Sequence, residues 1–320
     1  MKNILVLGAG AMGAAFTVPC IDNKHKVTLC EPYNHSLVKK ILSKKKYHPS
    51  LKLNLPKNLI IKNYSKELFK KKWDLLVIAV SSIGIASVGA KLLEVKNKSP
   101  ILILTKGLHY EKKGQQILTM SEQLKKVIKK GNISVLKGPC LARELAKKIK
   151  TSVVIANKNI KIAKSIGKLI STNFYKMEYS TDVKGVEVCS AIKNIYSMII
   201  GSGEGLNTSS SLFRKSITEM IYLTKFFKGK EETVYGLAGL GDLYVSALGG
   251  RNSKIGEYLG KGFTYNKAKK KFMPNDTIEG AQLASIIAPY ILKKIDTKKI
   301  PLMVSLIESI IKNKKLEISL

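Results

Sequence analysis

Arginine is nearly missing from this chain: Arg143, Arg214 and Arg251 are the only three among 56 basic residues, and the other 53 are lysines. Acidic residues are also scarce, 22 in all, so the formal net charge of the 320 residues reaches +34. Such a charge alone would suggest nucleic acid or an anionic membrane surface. Bidentate readers of phosphates and base edges are usually arginines, however, and here lysine stands in for arginine almost throughout. The lysines come in short groups along the chain (44–46, 70–72, 269–271), as solvated helix faces place them. A general surface bias that favours anionic ligands is therefore the reading, without a specific nucleic acid partner. Cysteine is sparse and unpaired in pattern: Cys20, Cys30, Cys140 and Cys189 form no C-x-x-C pair, and the four histidines are scattered. Neither a disulfide framework nor a metal site is expected. The longest apolar runs, such as 75–80 and 101–104, fall far short of the roughly 20 residues that span a bilayer, which argues against membrane insertion. The apolar run from Ile4 leads straight into a glycine turn, with no room for a signal peptide, and the chain is read as cytoplasmic.

The length suits two domains. From Asn3 to about Tyr179, short runs rich in Val, Ile and Leu alternate with longer helical patterns. That alternation is the mark of a parallel sheet covered by crossover helices. Eight strands are expected, at 4–7, 26–30, 59–62, 75–80, 101–104, 134–137, 152–156 and 174–178. Past Asp182 the strand pattern stops and only helical patterns follow, the first over 186–200. The predicted fold class is therefore α/β: a Rossmann-like doubly wound parallel sheet domain over 1–182, followed by an all-helical substrate domain over 183–320. The ligand is expected in the cleft between them, near the carboxyl ends of the strands.

Gly8-Ala9-Gly10-Ala11-Met12-Gly13 follows the first strand directly and opens a helix. Each glycine has its own reason in a dinucleotide fingerprint: Gly8 for the tight turn, Gly10 for backbone approach to the pyrophosphate, Gly13 for close helix packing. The second strand ends in Glu31, at the spacing expected of the carboxylate that binds the adenosine ribose. A carboxylate there accepts from the ribose hydroxyls of NAD and repels the extra phosphate of NADP. NAD is thus the expected cofactor, with NADP kept open by the nearby Lys39 and Lys40.

Four further segments carry more polar chemistry than packing requires: Thr105-Lys106-Gly107 after the fifth strand, Gly138 to Glu144 after the sixth, Ala191-Ile192-Lys193-Asn194 in the first helix of the second half, and Gly239-Leu240-Gly241-Asp242-Leu243 followed by Gly250-Arg251-Asn252. Lys193 is flanked by apolar residues, so a snorkelling surface lysine is the competing reading for it. A lysine acting as proton donor needs a pKa brought towards neutrality, which burial and a neighbouring cation such as Lys106 would supply.

These motifs, in this order, resemble the NAD(P)-dependent glycerol-3-phosphate dehydrogenase family over nearly the whole chain: the glycine fingerprint, T-K-G, G-P-x-x-A-x-E, the helix carrying D-x-x-G-V-E and A-x-K-N, G-L-A-G-L-G-D-L, G-R-N, and I-E-G at 278–280. The resemblance implies reversible hydride transfer between NAD(P)H and dihydroxyacetone phosphate, giving sn-glycerol 3-phosphate for phospholipid synthesis. It also implies roles by motif. Lys193 would be the proton donor and acceptor, Lys106 would contact substrate and cofactor, and Asp242 would orient the catalytic amine. Gly138, Asn194, Arg251 and Asn252 would hold the substrate, the last two on its phosphate. Gly8, Gly10, Ala11, Met12, Gly13, Glu31, Lys106, Pro139, Ala142, Arg251 and Glu279 would line the cofactor. The implied partners are a small phosphorylated substrate and, as an open option, a second copy of the chain in a homodimer. Departures from the family pattern are Met12 where an aromatic residue is common, Cys140-Leu141 in place of Ser-Phe, and Gly250 where a serine often precedes the Arg-Asn pair. Two alternatives stay open: another two-domain reductase acting on a 2-keto or 3-hydroxy acid, and a basic protein binding nucleic acid or a lipid surface.

Overall fold

The computed structural model describes residues 1–129 and 131–319. The chain divides into two compact units, one made of 1–106 with 120–183, the other of 107–119 with 184–320.

The first unit is built on eight strands: β1 (Asn3–Leu7), β2 (Lys26–Glu31), β3 (Ile60–Asn63), β4 (Leu75–Ile78), β5 (Ile101–Ile103), β6 (Ile133–Lys137), β7 (Thr151–Ala156) and β8 (Tyr175–Ser180). Their order in the sheet is β8-β7-β6-β5-β4-β1-β2-β3. From β3 to β6 all pairs are parallel, and the 3-2-1-4-5-6 succession is that of a dinucleotide-binding sheet. All four residues of β4 and the last four of β1 are buried, which is why these strands read as continuous apolar runs rather than alternating ones. The all-parallel expectation needs one correction. β6 and β7 are antiparallel, with Val135 opposite Ala156, so β7 and β8 run against the rest while remaining parallel to each other. The link between β6 and β7 carries only the five-residue helix Ala142–Ala146 and no long crossover, so the chain turns back instead of passing over the sheet. Apolar runs record burial and not direction.

Two short hairpins lie outside the sheet. Tyr47–His48 pairs with Leu53–Asn54 in the first unit, and Leu108–Glu111 pairs with Gln116–Thr119 in the second. The second unit is otherwise helical, so the expectation of an all-helical second half has this one addition. Strands of two to four residues are too short to show a period.

At the centre of the second unit, α2 (Val183–Gly201) is buried at every position from Gly185 to Ile200. It lies very close to α5 (Arg251–Gly260) and to the start of α6 (Glu279–Lys294). A Cβ on Gly256 would sit 2.0 Å from the Met198 carbonyl oxygen, and one on Gly280 would sit 2.4 Å from that of Asn194. Only glycine permits this approach, and it brings the backbones of Asn194, Arg251-Asn252 and Glu279 into one place. No helix among the described residues is long and apolar enough to cross a membrane.

One buried carboxylate in this unit gives a stability prediction. Glu219, on α3 (Leu206–Phe226), accepts from the Tyr196 hydroxyl (2.9 Å) and from the first N–H groups of α7 (Pro301–Ile311), Leu302 at 2.7 Å and Met303 at 3.1 Å. Burial pushes its carboxyl up to about 7, against the pull of these donors. A carboxyl raised in the folded state binds more protons there than in the unfolded chain, so its contribution to stability falls as pH rises from about 4.5 to about 7. At about 1.36 kcal/mol per pH unit the whole effect is roughly 3 kcal/mol. Glu219→Gln, which cannot ionise, is therefore expected to gain melting temperature relative to the wild type between pH 5 and pH 8. A difference that stays constant or reverses over that range refutes the assignment.

Candidate active site

In the first unit the glycine turn joins β1 to α1 (Ala11–Asp22). Gly8 has φ +104°, and a Cβ there would lie 2.6 Å from the Ala79 carbonyl oxygen; a Cβ on Gly13 would lie 1.9 Å from that of Gly8. Gly10 differs, because a Cβ there would meet nothing within 4 Å, and no side chain caps α1 at this end. The open position in front of an uncapped, twelve-residue helix fits a pyrophosphate, which the N-terminal N–H groups and the helix dipole favour. Ala11 and Met12 form the half-buried first turn beside it.

Glu31 ends β2 and is 6% exposed. Its Oε2 accepts the Ala9 N–H at 2.8 Å, and its Oε1 accepts those of Tyr33 (3.0 Å) and Asn34 (3.1 Å). The carboxylate that sequence spacing assigns to the ribose thus also ties the glycine turn to the loop after β2. A carboxylate has about four acceptor positions, so a ribose hydroxyl can add to these three donors.

Lys106, Gly138, Pro139 and Ala142 also belong to this unit, past the carboxyl ends of β5 and β6. The fully buried Lys137 links the two segments, its Nζ donating to the carbonyls of Thr105 (2.6 Å) and Ile103 (3.3 Å). Pro139 is fixed through its carbonyl, which accepts from the Thr151 hydroxyl at 2.6 Å.

In the second unit, six of the residues singled out from sequence come together. Lys193 and Asp242 are 5% and 3% exposed, and Lys193 Nζ is 2.7 Å from Asp242 Oδ1. The same amine donates to the Ser246 hydroxyl. Asp242 and Ser246 stand four residues apart on the helix Asp242–Ala247, on one face, so both reach Lys193. One residue along α2, the Asn194 amide donates to Glu279 Oε2 (3.4 Å), and its oxygen accepts from the Asn252 amide (3.1 Å). Asn252 in turn accepts the Gly280 N–H at 2.9 Å, and Arg251 pairs with Glu279 Oε1 at 3.4 Å. Exposure separates these groups by task. The Lys193, Asn194, Asp242 and Asn252 side chains are buried, whereas Arg251 and Glu279 are about half exposed, at 53% and 51%. The buried groups are held mostly by one another, and the Arg251–Glu279 pair closes the partly exposed edge of the cluster, tied to it through Asn194. Asn252, assigned by resemblance to the substrate phosphate, uses its oxygen and one N–H inside this network and keeps the second N–H.

A buried amine held by a carboxylate can give a proton to an oxygen that develops negative charge and take it back in the reverse direction. Sequence reasoning did not find Ser246 or Lys137. The signal for Ser246 was the i,i+4 spacing from Asp242, whereas nothing in the run of lysines marked Lys137 as the one that is buried.

A dinucleotide-type sheet with an open glycine turn, together with a buried Lys–Asp pair in a helical unit, defines a nicotinamide-dinucleotide-dependent oxidoreductase of the two-unit type. Residues 3–163 match the family model described as NAD-dependent glycerol-3-phosphate dehydrogenase N-terminus, and residues 182–320 match the corresponding C-terminus model. The chain belongs to the NAD-dependent glycerol-3-phosphate dehydrogenase family. It is 30% identical over 281 residues to the NADP(+)-dependent glycerol-3-phosphate dehydrogenase of Archaeoglobus fulgidus, covering 84% of this chain and 83% of that one. It is 27% identical to the glycerol-3-phosphate dehydrogenase [NAD(P)+] of Clostridium acetobutylicum over 98% of this chain and 94% of the other. Among solved structures, that of glycerol-3-phosphate dehydrogenase from Coxiella burnetii superposes with a TM-score of 0.86 at 26% identity, covering 98% and 96% of the two chains. These matches do not favour either alternative weighed from the sequence.

Proposed function

We propose that this chain catalyses the reversible NAD(P)H-dependent reduction of dihydroxyacetone phosphate to sn-glycerol 3-phosphate, with Lys193 as the proton donor and acceptor. The single observation that carries the reading is the buried Lys193–Asp242 pair, 2.7 Å apart, in a chain of this family. Residues 1–182 serve the dinucleotide and 183–320 the substrate. When bound, the dihydronicotinamide supplies the hydride. The chain's own residues supply placement and charge. The glycine turn and the start of α1 hold the pyrophosphate, and Glu31 receives the adenosine ribose, which favours NADH over NADPH. Asp242 and Ser246 fix the Lys193 ammonium, which protonates the alkoxide as it forms. Asn194, held by Asn252 and Glu279, donates to the substrate, and Lys106 polarises it and contacts the cofactor. Gly138, Pro139 and Ala142 shape the backbone beside them. No disulfide joins the four cysteines, which suits a reducing, cytoplasmic setting, and sedimentation of the purified chain tests for a homodimer. The deciding assay follows absorbance at 340 nm with dihydroxyacetone phosphate and NADH, with NADPH in parallel. Absence of turnover with both cofactors refutes the proposal.

Arg251 gives a sharper test of substrate class. Its guanidinium is a planar fork suited to phosphate, and its link to Glu279 at 3.4 Å is weak and half exposed, so it is available to an anion. Arg251→Lys keeps the charge and loses the fork. The KM for dihydroxyacetone phosphate is expected to rise about tenfold, equivalent to about 1.4 kcal/mol, with little change for unphosphorylated dihydroxyacetone. Equal losses on both substrates make Arg251 a structural residue.

A further inference from the structure

The dinucleotide turn is held from outside by a residue that neither the fingerprint nor the reaction calls for. His48, in the small hairpin Tyr47–His48/Leu53–Asn54, is 0% exposed, and its Nε2 lies 2.9 Å from the carbonyl oxygen of Ala9, between the first two glycines. Its other nitrogen, Nδ1, accepts the Leu51 N–H at 3.2 Å. These partners fix the tautomer: Nδ1 is the acceptor, so the proton is on Nε2 and is donated to Ala9. Burial lowers the imidazole's pKa, in keeping with a neutral ring. The hairpin is anchored by Leu51 and Leu55, both in the core of the unit.

We propose that His48 is a positioning residue for cofactor binding, which sets the orientation of the Ala9–Gly10 peptide so that the Gly10 N–H is presented to the dinucleotide pyrophosphate. The argument follows from peptide geometry. Ala9 N–H belongs to the Gly8–Ala9 peptide and is taken by Glu31 at 2.8 Å; Ala9 C=O belongs to the next peptide and is taken by His48. Two successive planes are therefore fixed by two side chains. Because the peptide is planar and trans, a carbonyl bound to His48 aims the Gly10 N–H in the opposite direction, away from the hairpin. Gly10 is the turn position with open space beside it. A glycine-rich turn has little conformational preference of its own, so an unanchored Ala9 carbonyl leaves the Gly10 N–H free to rotate and lose its aim. A second tie to the same hairpin, Arg143 Nε to the Ser50 carbonyl at 3.1 Å, is exposed and adds little.

The inference rests on the dinucleotide-binding part of the proposed function, and its test reads binding rather than turnover. Two variants separate the two hydrogen bonds of His48. In His48→Gln the side-chain amide nitrogen takes the place of Nε2 and keeps the donor to Ala9. In His48→Asn the amide oxygen takes the place of Nδ1 and keeps the acceptor for Leu51, but Ala9 loses its donor. NADH affinity is measured by the fluorescence of the bound dihydronicotinamide, and folding by thermal melts of the same samples. The glutamine variant is expected to bind within about twofold of the wild type. The asparagine variant is expected to bind about tenfold more weakly, with kcat at saturating NADH little changed. If the asparagine variant does not fold, the glutamine variant decides: near-normal binding supports the role, and binding weakened tenfold overturns it. An asparagine variant that binds as tightly as the wild type also overturns it. A wild type that binds no dinucleotide overturns the dehydrogenase reading itself, and this inference with it.

Discussion

Lys193→Ala is expected to lower kcat by roughly two to four decades, the usual worth of a positioned general acid, while the dissociation constant for NADH changes by less than about twofold. The separation follows from where the groups lie. Lys193 is in the second unit, bound to Asp242 and Ser246, whereas the glycine turn and Glu31 are in the first. A snorkelling lysine would place its amine in water; this one is 5% exposed and ends on a buried carboxylate. If the lost function is proton donation, a small primary ammonium ion such as ethylammonium restores part of the rate in the alanine variant, and it does so in proportion to its concentration. Steady-state rates at 340 nm with and without ethylammonium, beside a fluorescence titration with NADH, check both halves. An unchanged kcat removes Lys193 from the chemistry, and loss of NADH binding moves it to the cofactor.

What could be read from the sequence depended on whether burial left a one-dimensional trace. The central strands β1, β4 and β5 were legible because strands buried on both faces leave continuous apolar runs, and the glycine turn because Gly8 and Gly13 have no steric substitute. The reversal of β7 was not legible, since an apolar run is the same in either direction. Asn194, Arg251, Asn252 and Glu279 could be named individually but not assembled: the close approach that joins them depends on Gly256 and Gly280 meeting the backbone of α2, and neither stands out in sequence from a surface glycine. The mechanism read from sequence made a neighbouring cation the source of the amine's reactivity. The structure sets the Asp242 carboxylate, which the resemblance implies as the group orienting this amine, 2.7 Å from Lys193 Nζ. Glu31 was read as a ribose ligand from its spacing alone, and its three bonds to backbone N–H groups could not be seen without the turn after β2. His48 was one of four scattered histidines, and its value lies in a contact 39 residues away.

Asp242→Ala should be the most destabilising single change at the site, and adding a second substitution should restore stability without restoring activity. Alanine takes away the carboxylate that faces the buried Lys193 amine, while the Ser246 hydroxyl stays beside it. Breaking a buried ion pair on one side costs about 3 to 5 kcal/mol. An independent bound agrees: releasing the proton of an amine with an ordinary pKa of about 10.4 at pH 7 costs roughly 4 to 5 kcal/mol, so the loss cannot greatly exceed this before the amine becomes neutral. For a protein of this size that corresponds to a fall of about 5 to 7 °C in melting temperature. The double variant Lys193→Met/Asp242→Leu replaces both charges with apolar groups of similar volume and removes the uncompensated ion. It is expected to recover most of the lost stability, because a well-packed apolar pair is often as stable as the ion pair it replaces. Its turnover stays at the level of Lys193→Ala, because the acid is still missing. The readout has to be chosen with the fold in mind. The single tryptophan, Trp73, lies in the first unit and does not report on the second, so unfolding should be followed by helical circular dichroism rather than by tryptophan emission. A double variant as unstable as Asp242→Ala would mean that the aspartate supports the helix Asp242–Ala247 for reasons unrelated to charge. One that regained activity with stability would show that neither group takes part in the chemistry.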